Sequence, residues 1–440
     1  MFDGFLCVAA ATPDIRVADC NFNGASAAAL VSEAYEQGVS LLVLPELCLT
    51  GYTCSDLFLQ ESLLDGAGKA LLTLTEATRD KNMVVLAGLP LTVNGVLYNA
   101  AAVLHDGDIL GFVPKSYLPT YSEFYEGRHY HSGADIETDV LFNGRTYPFG
   151  TRLLFRCRQM PAFTLGIEIC EDLWVAQPPS ISHALAGATV IANLSASDET
   201  TGKDIYRRSL VSGQSARLVC GYIYADAGEG ESSTDLVFGA HNLICENGSI
   251  LAESERFSNQ MIMADMDMSK LISERRRMTT WQPKFDNGYR VIDFDLEMHE
   301  VDLRRFIDPH PFVPDDAMDR TRRCEEILTI QAMGLKKRLA HTHCRHAVVG
   351  ISGGLDSTLA LLVTVRAFDM LDMDRSQIMA VTMPCFGTTD RTYHNACELV
   401  RRLGATLEEV DIKEAVTLHF SDIGQDPANH DVTYENGQAR

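Results

Sequence analysis

Three residues stand at places where their chemistry could be combined. They are Glu46 in LPELCLTGY, Lys115 in PKSYLPTYSEFYEGR and Cys170 in GIEICEDLW. Each follows an apolar run that reads as a strand. The carboxyl ends of strands are where open α/β sheets build sites, and a sharp turn there presents a nucleophile. A cysteine attacks a carbonyl carbon as the thiolate, so its proton must first be removed. A buried glutamate with a raised pKa is a suitable base. A lysine can hold the oxyanion of a tetrahedral intermediate, assisted by the N–H that follows the cysteine. Taken singly, each residue also has a plainer reading. A cysteine at a strand end packs, a glutamate there caps the next helix, and a lysine after proline faces water.

A second chemical feature is GISGGLDS, residues 350–357. The apolar HAVV precedes it and TLALLVTVRAF, with helical spacing, follows. Strand, glycine turn and helix come in that order. Gly353 and Gly354 allow backbone amides to converge on an anion, and the helix beginning near Asp356 adds its positive end. The loop is not a Walker A sequence, because no Gly-Lys-Ser/Thr follows four spacers. Its plainer reading is a tight strand–helix turn that binds nothing.

The elements that must position these residues are written in the apolar pattern. Strands are expected at 5–12, 39–45, 82–90, 96–104, 162–169, 188–195, 219–226 and 234–244, and helices at about 22–38, 65–81, 178–187 and 203–217. HDGDIL (105–110) and ENGSIL (246–251) carry hairpin-turn chemistry. Such a series predicts sheets covered by helices, an α/β fold. The prolines at 309, 311 and 314 interrupt any helix there. The expected division is a first domain over 1–274, a linker over 275–316 and a second domain over 317–440, opening with a helix from about 317 to 340. RTYHNACELVRRLG reads as an amphipathic helix that stops at Gly404.

Composition narrows the classes of function. With 440 residues, 46% hydrophobic and 22% charged, the chain has room for two or three domains. No apolar run reaches the roughly 18 residues that span a bilayer, and the N-terminus reads as a buried strand rather than a signal peptide. Twelve cysteines lack CxxC or zinc spacing, which argues against a disulfide framework and for a reducing, cytoplasmic setting. A net charge of −23 argues against nucleic-acid or membrane binding, since both need basic patches.

LPELCLTGY, KSYLPTYSEFYE and GIEICEDLW, in this order, resemble the glutaminase branch of the nitrilase superfamily of carbon–nitrogen hydrolases. The resemblance covers about residues 1–270. It implies an α-β-β-α sandwich with Glu46 as general base, Lys115 as stabiliser of the intermediate and Cys170 as nucleophile. Glu126 matches a second glutamate kept beside the triad. Tyr121, Ser197 and Lys203 match positions around the glutamine pocket. SGGLDS resembles the pyrophosphate loop of the ATP-pyrophosphatases. That resemblance implies ATP binding by Gly350, Ile351, Ser352, Gly353, Gly354, Leu355, Asp356 and Ser357, with Asp356 holding Mg²⁺. MPCFGTTDRTYHNACELVRRLG and DVTYENGQAR are similar to the synthetase domain of the glutamine-dependent NAD⁺ synthetases, a partial Rossmann-like parallel sheet here. By that similarity Asn436 and Arg440 contact deamido-NAD⁺.

Together the resemblances imply a homo-oligomeric ligase that uses glutamine, ATP and deamido-NAD⁺. The family's synthetase domain runs beyond TYENxQAR, and Gly437 stands where an apolar residue is usual. A truncated second domain, unstable and with uncovered apolar faces, is therefore expected, together with an active glutaminase half and a doubtful synthetase half. Two alternatives remain: a stand-alone amidase or nitrilase, and a non-catalytic assembly partner of a longer synthetase.

Overall fold

Two apolar sheets, each too hydrophobic to face water on either side, form the heart of the first part of the chain. A computed structural model describes residues 4–233, 235–284, 288–299, 302–386 and 390–435. It divides into two compact units, Met1–Phe306 and Ile307–Arg440.

In the first unit the strands are β1 (Phe5–Ala11), β2 (Leu41–Val43), β3 (Val84–Val93), β4 (Val96–His105), β5 (Asp108–Pro114), β6 (Glu137–Phe142), β7 (Arg145–Gly150), β8 (Leu153–Cys157), β9 (Thr164–Ile169), β10 (Val190–Ser195), β11 (Gly221–Asp226), β12 (Leu243–Glu246), β13 (Ser249–Glu253), β14 (Met261–Asp267) and β15 (Arg290–Phe294). Eight form one sheet, ordered β14-β1-β2-β3-β4-β5-β7-β6, and seven form another, ordered β13-β12-β11-β10-β9-β8-β15. Helices α1 (Cys20–Glu36) and α2 (Glu61–Ala77) cover the first sheet, with Ala27, Val31, Leu71 and Leu74 in the shared core. Helices α3 (Pro179–Leu185) and α4 (Lys203–Leu218) cover the second through Ala184, Val211 and Leu218. Between the sheets Val8, Val43, Leu86 and Val103 meet Phe155, Ile167, Ala192 and Ile223. The result is the expected α-β-β-α sandwich. Its central strands are apolar on both faces because both faces are covered.

Two parts of the sequence reading are corrected. The strand expected over 234–244 is confined to its end, Leu243–Glu246. Before it, Ala240 adopts φ +50° and donates its N–H to Ala227. Leu236 and Phe238 pack with Tyr52 and Ala196 instead of joining a sheet. The stretch read as a linker from 275 also belongs, through Phe306, to the first unit. Helix α5 (Met268–Arg277) runs into it, and β15 pairs in parallel with β8 at the edge of the second sheet. A five-residue strand following a Trp-Gln-Pro turn carries too short a pattern to read as sheet.

The second unit holds a three-stranded parallel sheet of β16 (Ala347–Gly350), β17 (Ile378–Thr382) and β18 (Thr406–Glu409). Helix α6 (Ala317–Thr342) precedes it. Helix α7 (Leu355–Asp369) follows β16 and α8 (Asp390–Leu403) follows β17; α9 (Lys413–Ile423) and the short α10 (Val432–Glu435) come last. Gly404, at φ +77°, ends α8 as a C-cap glycine does. Leu361, Phe368, Ala396 and Val400 pack with Ile378 and Ala380 on one face. On the other, Val348 is 69% and Met379 42% exposed, so that face is open.

Candidate active site

Glu46, Lys115 and Cys170 leave three different strands at one end of the sandwich. Glu46 follows β2, Lys115 directly follows β5 and Cys170 begins a single 3₁₀ turn, Cys170–Leu173, after β9. Gly88 on β3 makes room for the first. A Cβ there would lie 2.2 Å from the Leu47 nitrogen and 2.8 Å from Glu46 Cα. Cys170 takes φ +44°, a left-handed conformation costly for any residue with a Cβ and common where strain serves a site. Its N–H donates to Asn193 Oδ1 at 3.0 Å.

The charges interlock. Lys115 Nζ, wholly buried, donates to Glu46 Oε1 and to Glu126 Oε1, both at 2.6 Å. Glu46 Oε1 also accepts from Asn99 Nδ2 at 2.6 Å, and Oε2 accepts the Ala196 N–H at 2.9 Å. Tyr52 Oη donates to Glu126 Oε1 at 2.8 Å, while Glu126 Oε2 is buried without a hydrogen-bond partner among the described residues. Burial alone would lower the Lys115 pKa, but Glu126 and Glu46 outweigh it and hold the ammonium well above its usual range. Burial pushes Glu126 up, with Lys115 opposing and Glu46 reinforcing. Burial, then the Glu46 charge, drives the Cys170 thiol well above its ordinary value, with Lys115 pulling the other way. The resting sulfur is therefore a thiol, so attack requires a base beside it.

The sequence reading missed several supporting residues. Asn99 on β4 and Asn193 on β10 orient Glu46 and Cys170. Each falls in an apolar run, where a lone buried amide was the available signal. Asp172 accepts the N–H groups of Ser116, Tyr117 and Ile169. Its signal was the acidic doublet after Cys170.

The residues expected around the pocket are disposed unequally. Glu126 meets the triad directly. Tyr121 is exposed and its Oη donates to Glu171 Oε1 at 2.9 Å, next to the candidate nucleophile. Ser197 is buried. Its N–H donates to Asp226 Oδ1 at 2.8 Å and its Oγ accepts from Arg207 at 3.2 Å. Lys203 pairs with Asp198, and its ammonium lies 5.3 Å from the Trp174 ring and 5.8 Å from that of Phe124. A cavity of about 220 Å³ beside the triad is lined by Tyr52, Phe58, Phe124, Glu126, His129 and Tyr130. Cys170 does not line it.

In the second unit, GISGGLDS forms the strand–turn–helix junction expected. Gly353 has φ +82°, and a Cβ on it would sit 2.1 Å from the Thr392 carbonyl oxygen of α8. Ser352 Oγ and Ser357 Oγ lie 3.2 Å apart, and Ser357 Oγ donates to the Gly354 carbonyl. Ile351 is buried, whereas Gly350, Gly354, Leu355 and Asp356 are exposed. Asp356 stands alone: among the described residues no group of three His, Cys, Asp or Glu side chains could hold a metal ion. A single exposed carboxylate fits Mg²⁺ held chiefly by substrate phosphates and water. Tyr434, in TYEN, stacks on His430 with ring centroids 4.2 Å apart. Asn436, Gly437 and Arg440 lie outside the described residues. Among the described residues no helix is long and apolar enough to cross a membrane.

The chain matches the family model for carbon–nitrogen hydrolase over residues 7–276 and that for NAD synthase over 327–440. It is 43% identical, over 450 aligned positions and 99% of its length, to a Mycobacterium tuberculosis protein described as glutamine-dependent NAD(+) synthetase. An Aquifex aeolicus protein of the same description is 26% identical over 93% of the chain. The chain spans 66% of the mycobacterial relative and 67% of the Aquifex one. Among solved structures, a glutamine-dependent NAD(+) synthetase from Cytophaga hutchinsonii superimposes with a TM-score of 0.54 at 23% identity, covering 99% of this chain and 71% of that one. One from Acinetobacter baumannii, in complex with ADP, gives 0.52 at 23% identity, covering 99% and 70%.

Proposed function

The chain belongs to the carbon–nitrogen hydrolase family, and from that premise we propose that its first unit releases ammonia from glutamine for a synthetase that amidates deamido-NAD⁺. The observation that carries the reading is the Glu46–Lys115–Glu126 charge cluster beside a buried Cys170. Glu46 takes the thiol proton. Cys170 Sγ forms a bond to the side-chain carbonyl carbon of glutamine, and the carbonyl electron pair moves onto oxygen. Lys115 and a backbone N–H hold that oxyanion. Its collapse breaks the C–N bond, ammonia leaves with the proton, and water then hydrolyses the glutamyl thioester to glutamate. Tyr121, Ser197, Lys203 and Glu126 surround the substrate.

In the second unit the amides and hydroxyls of Gly350–Ser357 would hold the phosphates of ATP, and Asp356 would hold Mg²⁺, which would offset phosphate charge there. ATP adenylates the nicotinate carboxylate and pyrophosphate leaves. Ammonia then displaces AMP, giving NAD⁺. Asn436 and Arg440 contact deamido-NAD⁺. The likeness to relatives described as glutamine-dependent NAD(+) synthetases supports this second half. The proposal includes a cytoplasmic homo-oligomer, with a glutaminase in the first unit, through Phe306, and a synthetase from 317. Glutamate release from glutamine by the purified chain, against Cys170→Ala, tests the first half. The expected result is activity abolished in the variant; equal release by both chains overturns it. NAD⁺ formation from glutamine, ATP and deamido-NAD⁺ tests the second.

A further inference from the structure

One buried carboxylate joins the two sheets at the site without belonging to the triad. Asp172 is 1% exposed. Its Oδ1 accepts the Tyr117 N–H at 2.8 Å and the Ser116 N–H at 3.1 Å; its Oδ2 accepts the Ile169 N–H at 3.0 Å. Ser116 and Tyr117 directly follow Lys115, at the exit of β5 in the eight-stranded sheet. Ile169 directly precedes Cys170, at the exit of β9 in the seven-stranded sheet. Another polar tie between the two sheets at the site runs from the Glu46 N–H to the Ser195 carbonyl and from the Ala196 N–H to Glu46 Oε2. We propose that Asp172 is a positioning residue that sets Lys115 against Cys170.

The chemistry of the carboxylate is specific to this task. All three partners are donors, and only a group with acceptors on both arms serves them together. An asparagine of the same shape accepts on one arm and presents its own N–H groups on the other. It must release either the Lys115 side or the Cys170 side. Displacements of about 1 Å in a reacting pair cost about 100-fold in rate. A thiol deprived of its nearby ammonium loses about tenfold in thiolate for each unit its pKa rises.

The inference rests on reading Cys170 as the nucleophile, so the test has an arm that needs no turnover. Wild type, Asp172→Asn and Cys170→Ala are compared for glutamate release and for the alkylation rate of Cys170 by iodoacetamide at fixed pH. Melting curves establish the folded fraction. The expected result for folded Asp172→Asn is a kcat about 100-fold lower, little change in KM for glutamine, and alkylation slowed about tenfold. Wild-type kcat and alkylation rate in the folded variant overturn the inference, even if its melting temperature has dropped. If wild type releases no glutamate, the functional reading fails and the alkylation comparison still decides. Should Asp172→Asn not fold, Asp172→Glu takes its place. It keeps both acceptors but reaches one methylene further, so positioning predicts slowed alkylation, whereas a merely structural carboxylate predicts the wild-type rate.

Discussion

At the residue scale the site is an unbalanced charge cluster. One ammonium, Lys115, is shared by two buried carboxylates, Glu46 and Glu126. Charges taken out of water persist only when paired and hydrogen-bonded, and Glu126 is the less satisfied of the two, its Oε2 without a partner among the described residues. Its pKa is raised from 4.5 to about 7, by burial first. A carboxyl with a raised folded-state pKa contributes stability that is complete below its unfolded value and lost as pH rises through the folded one. Wild type should therefore lose stability relative to Glu126→Gln as pH rises from about 4.5 to about 7, by on the order of 1–3 kcal/mol. Urea unfolding of both chains across that range checks it. A difference that stays flat, or grows in favour of wild type, contradicts this account.

At the element scale the site depends on close approach between strands. Gly88→Ala inserts a methyl into the Glu46–Leu47 backbone. Overpacking of this kind typically costs about 1–3 kcal/mol, and here the yielding segment carries Glu46, the proposed base. Glutamate release should fall at least tenfold, at roughly a tenth of wild type or less, while far-ultraviolet circular dichroism stays native. A variant as active as wild type shows that Glu46 does not depend on this approach. The same scale explains what was legible in the sequence. The central strands were legible from their continuous apolar runs, whereas Glu46, Lys115 and Cys170, each open to a plainer reading alone, were singled out together by the family resemblance. Edge elements did not. β6, β7 and β15 alternate weakly and carry arginines and aspartates that pair across the surface, such as Arg290 with Asp139 and Arg156 with Asp293. Asn99, Asn193 and Asp172 were hidden for another reason: their partners are backbone groups or side chains far away in sequence, which spacing does not reveal.

At the scale of the whole molecule, the end of the first unit is set by packing. The family match stops at 276, yet the unit continues to Phe306. Phe294 and Leu296 are buried in the core between the sheets, and Arg305 pairs with the buried Glu246 at 2.6 Å. For anyone wishing to excise the hydrolase half as an independent enzyme, the cut belongs after residue 306. A gene ending at 276 would uncover the outer edge of β8 along Leu153–Cys157, and an unpaired edge recruits strands from other molecules. The shorter product should collect in inclusion bodies or elute as aggregate on size exclusion, and the longer one should run as a discrete species and melt cooperatively. Equal behaviour of the two would make β15 dispensable, a trailing passenger instead of the outermost stave of the sheet.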